Sequence, residues 1–237
     1  TDMLCNDTLA SVQLFDLCSK NKVKQIIYTS STAVNDWVYL SPESKSFGDK
    51  LKVYAHSKQN PVTYYGATKG ASELFLSAIA FQNEIKANII RPGYTFGNPV
   101  FDDSPVESDN RFRDIAAKAL ANEKINVIKY DGTQFIWAGD LAKIYASILE
   151  SNNKNKTYLA LGSTFITWEK IAKETILMSG SKSKIVIQDK GYAFNPNMFD
   201  VSGIKNDFGH SFDAWEKIRE HIAFCLGKKI KAGVKVN

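Results

Sequence analysis

Cysteine and histidine are scarce in this 237-residue chain, long apolar runs are missing, and neither charge sign dominates. The three cysteines, Cys5, Cys18 and Cys225, are odd in number, and none stands in Cys-x-x-Cys spacing. That argues against a disulfide-stapled fold and suits a reducing compartment, so a cytoplasmic protein is expected. His56, His210 and His221 match no ligand spacing with cysteine or acidic residues, and no metal is expected. No window approaches the roughly 20 apolar residues of a membrane-spanning helix. The net charge of +5 comes from scattered lysines, and no nucleic-acid partner is expected. The one dense cluster, Lys228-Lys229-Ile230-Lys231 with Lys235, reads either as a contact for an anionic partner or as a solvated tail. The 14 glycines never fall in a Gly-x-x-Gly-x-x-Gly turn, and no repeat or low-complexity tract is present. What remains is ordinary: a hydrophobic content of 44%, enough for one or two closely packed domains.

Apolar periodicity orders the chain. Leu9, Val12, Leu14, Phe15 and Cys18 form one stripe of a helix over residues 5–19. Val23 to Tyr28 reads as a central parallel strand covered on both faces, and Ala87 to Pro92 as another. Between them, residues 35–63 lack a period and carry Pro42, Gly48 and Pro61, as a long functional loop would. Its Trp37, Tyr39, Phe47 and Tyr54 either line a pocket or anchor the loop. The helix from Tyr65 to Glu84 is apolar so far round, through Leu74, Phe75, Leu76, Ile79 and Phe81, that burial on two sides is expected. Residues 98–113 read as a loop, and Phe112 to Leu120 as a helix. Strands at 125–129 and 135–137 are expected to flank the Asp131-Gly132 turn. Asp140 is placed to cap the next helix. A strand at 157–161, a helix at 167–179, a strand at 184–188 and a last helix from Asp213 to Leu226, stopped by Gly227, complete the α/β alternation.

The chemistry centres on Tyr65-Gly66-Ala67-Thr68-Lys69. Residues four apart share a helix face, so Lys69 stands beside Tyr65. An ammonium beside a phenol favours phenolate, which would let the tyrosine work as an acid or base near neutral pH. The bland alternatives are a packed aromatic and a surface lysine. Tyr64 competes, but only Tyr65 has lysine at i+4. Upstream, the first strand runs straight into the hydroxyls Thr29-Ser30-Ser31-Thr32. Downstream, the second ends in Arg91-Pro92-Gly93.

Strand, hydroxyl cluster, Tyr-Gly-x-Thr-Lys helix, strand and Arg-Pro-Gly turn, in that order, resemble the extended short-chain dehydrogenase/reductase family, in its NAD-dependent sugar epimerase/dehydratase type. Phe135, Asp140, Leu141 and Ala142 match that family's Phe-x-x-x-x-Asp-Leu-Ala pattern. The resemblance implies a Rossmann-like, doubly wound parallel sheet. Residues 1–98 and 123–150 would be the remainder of the dinucleotide-binding domain, and 99–122 with 151–237 the substrate-binding part. It implies NAD or NADP as cofactor, with Tyr65 as acid/base and Lys69 on the nicotinamide ribose. Ser30, Pro92 and Gly93 would be further cofactor contacts. Ser31 would orient the reacting hydroxyl, with Thr29, Ser30 and Thr32 as neighbouring choices and turn chemistry as the bland one. Thr32, Tyr94 and Thr95 would face substrate. A homodimer through the Tyr65–Glu84 helix is a further implication. The family opens with a strand, a glycine-rich turn and a helix that holds pyrophosphate, and this sequence has no such turn. The expectation is a chain lacking its N-terminal segment, or else a variant that has lost dinucleotide binding.

Two departures narrow the activity. Dehydratases of the family carry an Asp-Glu pair after the strand-end hydroxyl, where Thr32 and Ala33 stand here. Dehydration is therefore not expected, which leaves epimerisation of a nucleotide sugar by transient hydride transfer, or simple hydride transfer. Tyr94 stands where a polar residue, often Asn, touches the sugar, and this motivates an NADP-dependent reductase of a small carbonyl compound as alternative. The missing glycine turn motivates a third reading, a non-catalytic binding or regulatory module, although no interleaved basic and aromatic readout supports nucleic acid.

Overall fold

The structure is a computed structural model that describes residues 2–40, 51–101, 108–191 and 198–228. A π-helical turn over Leu4–Leu9 runs into α1 (Ala10–Lys20). Then β1 (Gln25–Thr29), a 3-10 turn at Thr32–Asn35, α2 (Trp37–Leu40), α3 (Tyr64–Gln82) and β2 (Lys86–Pro92) follow. β1, β2 and β7 (Lys156–Ala160) form a parallel sheet in that order, with Tyr28 opposite Ile89 and Ile90 opposite Tyr158. β7 follows the division expected at residue 150, yet pairs with β2.

Strand side chains alternate between faces, so both faces of β2 need cover. Ala87 and Ile89 pack with Phe15, Tyr28, Leu76 and Ala80 under α1 and α3. Ile90 packs with Ile144, Ile148, Tyr158 and Ile204 under α5 (Ala138–Glu150) and α7 (Ser202–Phe208). Each such aliphatic side chain contributes about 1.5–3 kcal/mol when fully buried.

A second apolar cluster lies between α4 (Arg111–Leu120), α6 (Trp168–Ser179) and α8 (Trp215–Cys225), around Phe96, Phe112, Phe135, Ile171, Ile218 and Ile222. Three short ladders tie it to the rest. β3 (Thr95–Phe96) pairs in parallel with β6 (Ile136–Trp137), β4 (Ile125–Ile128) in parallel with β9 (Ile185–Gln188), and β5 (Gly132–Thr133) antiparallel with β8 (Ile166–Thr167). The strands expected to flank Asp131-Gly132 therefore do not pair with each other; each is claimed by a distant partner.

Three local expectations are corrected. The α5 helix starts at Ala138, so Asp140 is a first-turn acid bonded to Lys143 rather than the cap. In α1 only Phe15 is buried, while Leu9, Leu14 and Leu17 stay exposed. Within the protomer, Leu76 and Ala80 of α3 face the sheet, while Leu74, Phe75 and Phe81 are exposed. The last helix, expected from Asp213, starts at Trp215, with Ala214 at its cap position and no side-chain cap bond. Thr167 caps α6 through Lys170 N, and Gly227 takes a left-handed φ of 68° after α8. Phe47, the Tyr39 side chain and the basic residues after Lys228 lie outside the described residues.

Candidate active site

The site begins where the parallel strands end. After Thr29 the backbone turns, and Ser30 N donates to Ile90 O at 2.8 Å, keeping the two strand ends together. Ser31 is extended and caps the 3-10 turn, its Oγ accepting from Ala33 N at 3.1 Å. That is turn chemistry, but it uses only an acceptor lone pair and leaves the hydroxyl proton to donate. Thr29 Oγ1 pairs with Tyr145 Oη at 2.6 Å. Ser30 is 3% exposed and its Oγ has no hydrogen-bond partner.

A capped helix delivers the tyrosine. Thr63 caps α3, accepting from Gly66 N at 3.1 Å. Buried Asp36 accepts from Val62 N at 2.6 Å and from the Thr63 hydroxyl, which pins the helix start to the turn after Ser31. Gly66 is required by the same approach: a Cβ there would lie 2.1 Å from Ala33 O. The closeness of turn and helix brings Ser31 and Tyr65 to one cavity. Tyr65 is 42% exposed, whereas Tyr64 is 88% exposed and points away.

Lys69 lies one turn further along. Its Nζ is 5.8 Å from the Tyr65 ring centre and 5.6 Å from that of Tyr28, and it donates to Asp7 Oδ1 at 3.0 Å. Burial pulls its pKa down, but the Asp7 carboxylate and the Tyr28 and Tyr65 phenols outweigh burial and hold it above the usual lysine value. Burial pushes the Tyr145 phenol up, against its Thr29 bond and the charge of Lys69.

The cavity of about 1180 Å3 is lined by all nine residues expected at the site: Ser30, Ser31, Thr32, Tyr65, Lys69, Pro92, Gly93, Tyr94 and Thr95. It sits outside the carboxyl ends of parallel strands, the usual place for ligands in such sheets. The turn at Gly93 is tight, since a Cβ there would lie 2.5 Å from Leu161 Cδ2. Beneath it, the guanidinium of Arg91 forks onto Glu73 at 2.9 and 2.6 Å, tying β2 to α3. From the long excursion the cavity takes Asp36, Val38 and Leu51. Trp37 instead packs against the core near Val53 and Phe199, and Tyr54 stacks on His56.

Sequence reasoning missed the far wall. The Tyr94 ring packs edge-on against Phe135 and Trp168, and its hydroxyl donates to Asp109 at 2.7 Å. Arg111 bonds both Asp109 and Asp131 and covers the Trp168 ring at 4.7 Å. Burial pushes the Asp131 carboxyl up despite Arg111; Asp109 is held below the usual range by Tyr94 and Arg111 against its own burial. These residues come from separate elements, and no spacing announces them. Among the described residues, no cluster of His, Cys, Asp or Glu side chains is arranged to hold a metal ion, and no helix is long and apolar enough to cross a membrane.

Comparisons with known proteins bear on the family and the fold. The model of the NAD dependent epimerase/dehydratase family matches residues 1–160. No curated protein sequence matches. Among solved structures, UDP-N-acetylglucosamine 4-epimerase from Methanobrevibacter ruminantium M1, in complex with UDP-N-acetylmuramic acid, aligns with a TM-score of 0.71 at 19% identity, over 95% of this chain and 70% of that one. UDP-glucuronic acid 4-epimerase from Bacillus cereus in complex with NAD gives 0.70 at 15% identity, over 93% and 68%. RMD from Pseudomonas aeruginosa complexed with NADPH gives 0.71 at 14% identity, over 93% and 72%. At these identities the likeness establishes the fold, a Rossmann-like α/β arrangement.

Proposed function

The chain belongs to the NAD-dependent epimerase/dehydratase family, and on that premise we propose that it serves an NAD(P)-dependent epimerase of a nucleotide sugar, with Ser31, Tyr65 and Lys69 as catalytic set. One observation carries the reading: hydroxyl, phenol and ammonium line one cavity at the ends of β1 and β2. The UDP-sugar 4-epimerases among the structural neighbours support the substrate class.

The residues present fit the nicotinamide end of the cofactor. Tyr65 and Lys69 would face the ribose; the buried, unpartnered Ser30 hydroxyl and the Pro92-Gly93 turn would face the nicotinamide. The pyrophosphate is not assigned to any residue here, because the sequence has no glycine-rich turn. When bound, NAD(P) would take a hydride from the sugar carbon and later return it. Tyr65 Oη would accept the hydroxyl proton from that same carbon, and Ser31 Oγ–H would hold the oxygen in place. The Lys69 ammonium lies 5.8 Å from the Tyr65 ring centre, and both line the same cavity. After the sugar turns over, Tyr65 would return the proton, so no net oxidation remains.

Incubation with NAD+ and UDP-N-acetylglucosamine or UDP-glucuronic acid, read by proton NMR, tests this. The expected result is a new C4-epimer signal without accumulation of reduced cofactor. Tyr65→Phe should lower the rate by about 10²–10⁴-fold, the usual worth of a general acid/base. No epimer from either sugar, or a rate unchanged in Tyr65→Phe, would sink the reading. Tyr94, held by Asp109 and three aromatic rings rather than presented as a free polar contact, favours the second reading, reduction of a small carbonyl compound. Net NADPH consumption during turnover would select it.

A further inference from the structure

We infer that Asp7 is a positioning residue for Lys69, a carboxylate delivered from the first turns of the chain that keeps the ammonium charged and fixed beside Tyr65. This rests on the reading of Lys69 as part of the catalytic set. Asp7 and Thr8 lie in the π-helical turn Leu4–Leu9, and both grip the second turn of α3. Asp7 Oδ1 accepts from Lys69 Nζ at 3.0 Å, and Oδ2 lies 3.2 Å from the Thr68 hydroxyl. Thr8 Oγ1 donates to Thr68 O at 3.1 Å, so the two segments are docked side chain to backbone as well. The Lys69 and Asp7 side chains are only 17% and 23% exposed, which limits solvent screening of the pair.

The groups facing the ammonium are Asp7 from the π-helical turn, Tyr28 from β1, Tyr65 from α3 and, at longer range, Tyr145 from α5. Asp7 is the carboxylate in that set. An ammonium has three donors. Asp7 takes one, which leaves two for the cavity that Lys69 lines. Without Asp7, only the Tyr28 and Tyr65 phenols would oppose burial at Lys69, and a half-buried lysine loses its charge more readily.

The test follows the 13Cε signal of Lys69 against pH in lysine-labelled protein, identified by its loss in Lys69→Gln. No cofactor or substrate is added, so the outcome does not depend on whether turnover is found or which sugar is used. Asp7→Asn should lower the Lys69 midpoint by about one pH unit or more, and Asp7→Glu should restore most of it. An unchanged midpoint in Asp7→Asn overturns the proposal. If Asp7→Asn fails to fold, the Asp7→Asn/Lys69→Gln double variant decides. Recovery of the fold would trace the defect to an unpaired Lys69 and support the proposal; continued failure would make Asp7 merely structural and overturn it.

Discussion

Single residues carry constraints that neighbouring sequence conceals. Gly66 follows the proposed catalytic tyrosine, and its need is steric: Ala33 O occupies the space of its Cβ. Gly66→Ala should force the 3-10 turn away from α3. The expected cost is about 1–3 kcal/mol, as for other overpacked sites, read from urea unfolding, with a larger loss in turnover because Ser31 moves too. His221 makes a different demand. It is buried against Phe96 and Phe112, and its Nδ1–H donates to Asn98 Oδ1 at 2.9 Å. Burial, helped by the charge of Arg113, lowers its pKa from 6.5 to about 4. The folded state thus keeps it neutral, while the unfolded chain protonates it near 6.5. Its stabilisation is complete above pH 6.5 and drains as pH falls toward 4, by about 3 kcal/mol at 1.36 kcal/mol per pH unit. Melting curves across pH 7 to 4 should show this slope, and His221→Gln should flatten it; an equally steep slope in the variant would refute the assignment. Tyr65 and Lys69 were legible because their relation is local, four residues on one helix. Asp7 was not, because 62 residues separate it from Lys69.

At the scale of elements, α3 is positioned by a cap at its start and an ion pair in its middle. The Arg91–Glu73 pair is buried and forked, and Gln59 Nε2 adds a bond to Glu73 at 2.6 Å. Breaking one partner leaves a charge without water or counter-charge. Glu73→Gln should therefore cost about 3–5 kcal/mol. Replacing both, as Glu73→Leu with Arg91→Met, should cost much less, because no lone charge remains. Denaturant midpoints of the two variants would check this, and equal losses would contradict it. Long elements were readable from period and punctuation: α6 within its expected 167–179, α8 with its Gly227 stop, β2 with its apolar run. The two-residue ladders were not readable, since their pairing is decided by packing far away in sequence. The reading of Asp140 as a cap failed for a related reason. Helix α5 opens directly from β6, and Trp137 in extended conformation takes the cap position.

For the whole molecule, chain order alone conveyed the family, the parallel α/β arrangement and one wall of the cavity. The opposite wall, Arg111, Asp131 and Trp168, depends on how the α4–α6–α8 cluster docks on the sheet, and no local pattern encodes that. The same distinction bears on assembly. An apolar helix is expected to be buried, and α3 is buried on its sheet side alone. Its Leu74, Phe75 and Phe81 are exposed, as are Leu9, Leu14 and Leu17 nearby in the chain's first helices, which pack on α3. Separate exposed leucines need no explanation, but a run of large apolar side chains over two packed helices does. A second copy of the chain on this face is the expected occupant, in line with the homodimer implied by the resemblance. Phe81 is 84% exposed, so Phe81→Glu removes apolar surface without opening a core cavity. Combined with Leu74→Glu, it should leave the melting temperature of the protomer nearly unchanged while shifting sedimentation from dimer to monomer. A wild-type chain that sediments as a monomer at micromolar concentration, or a variant that stays dimeric, would exclude this face as the interface.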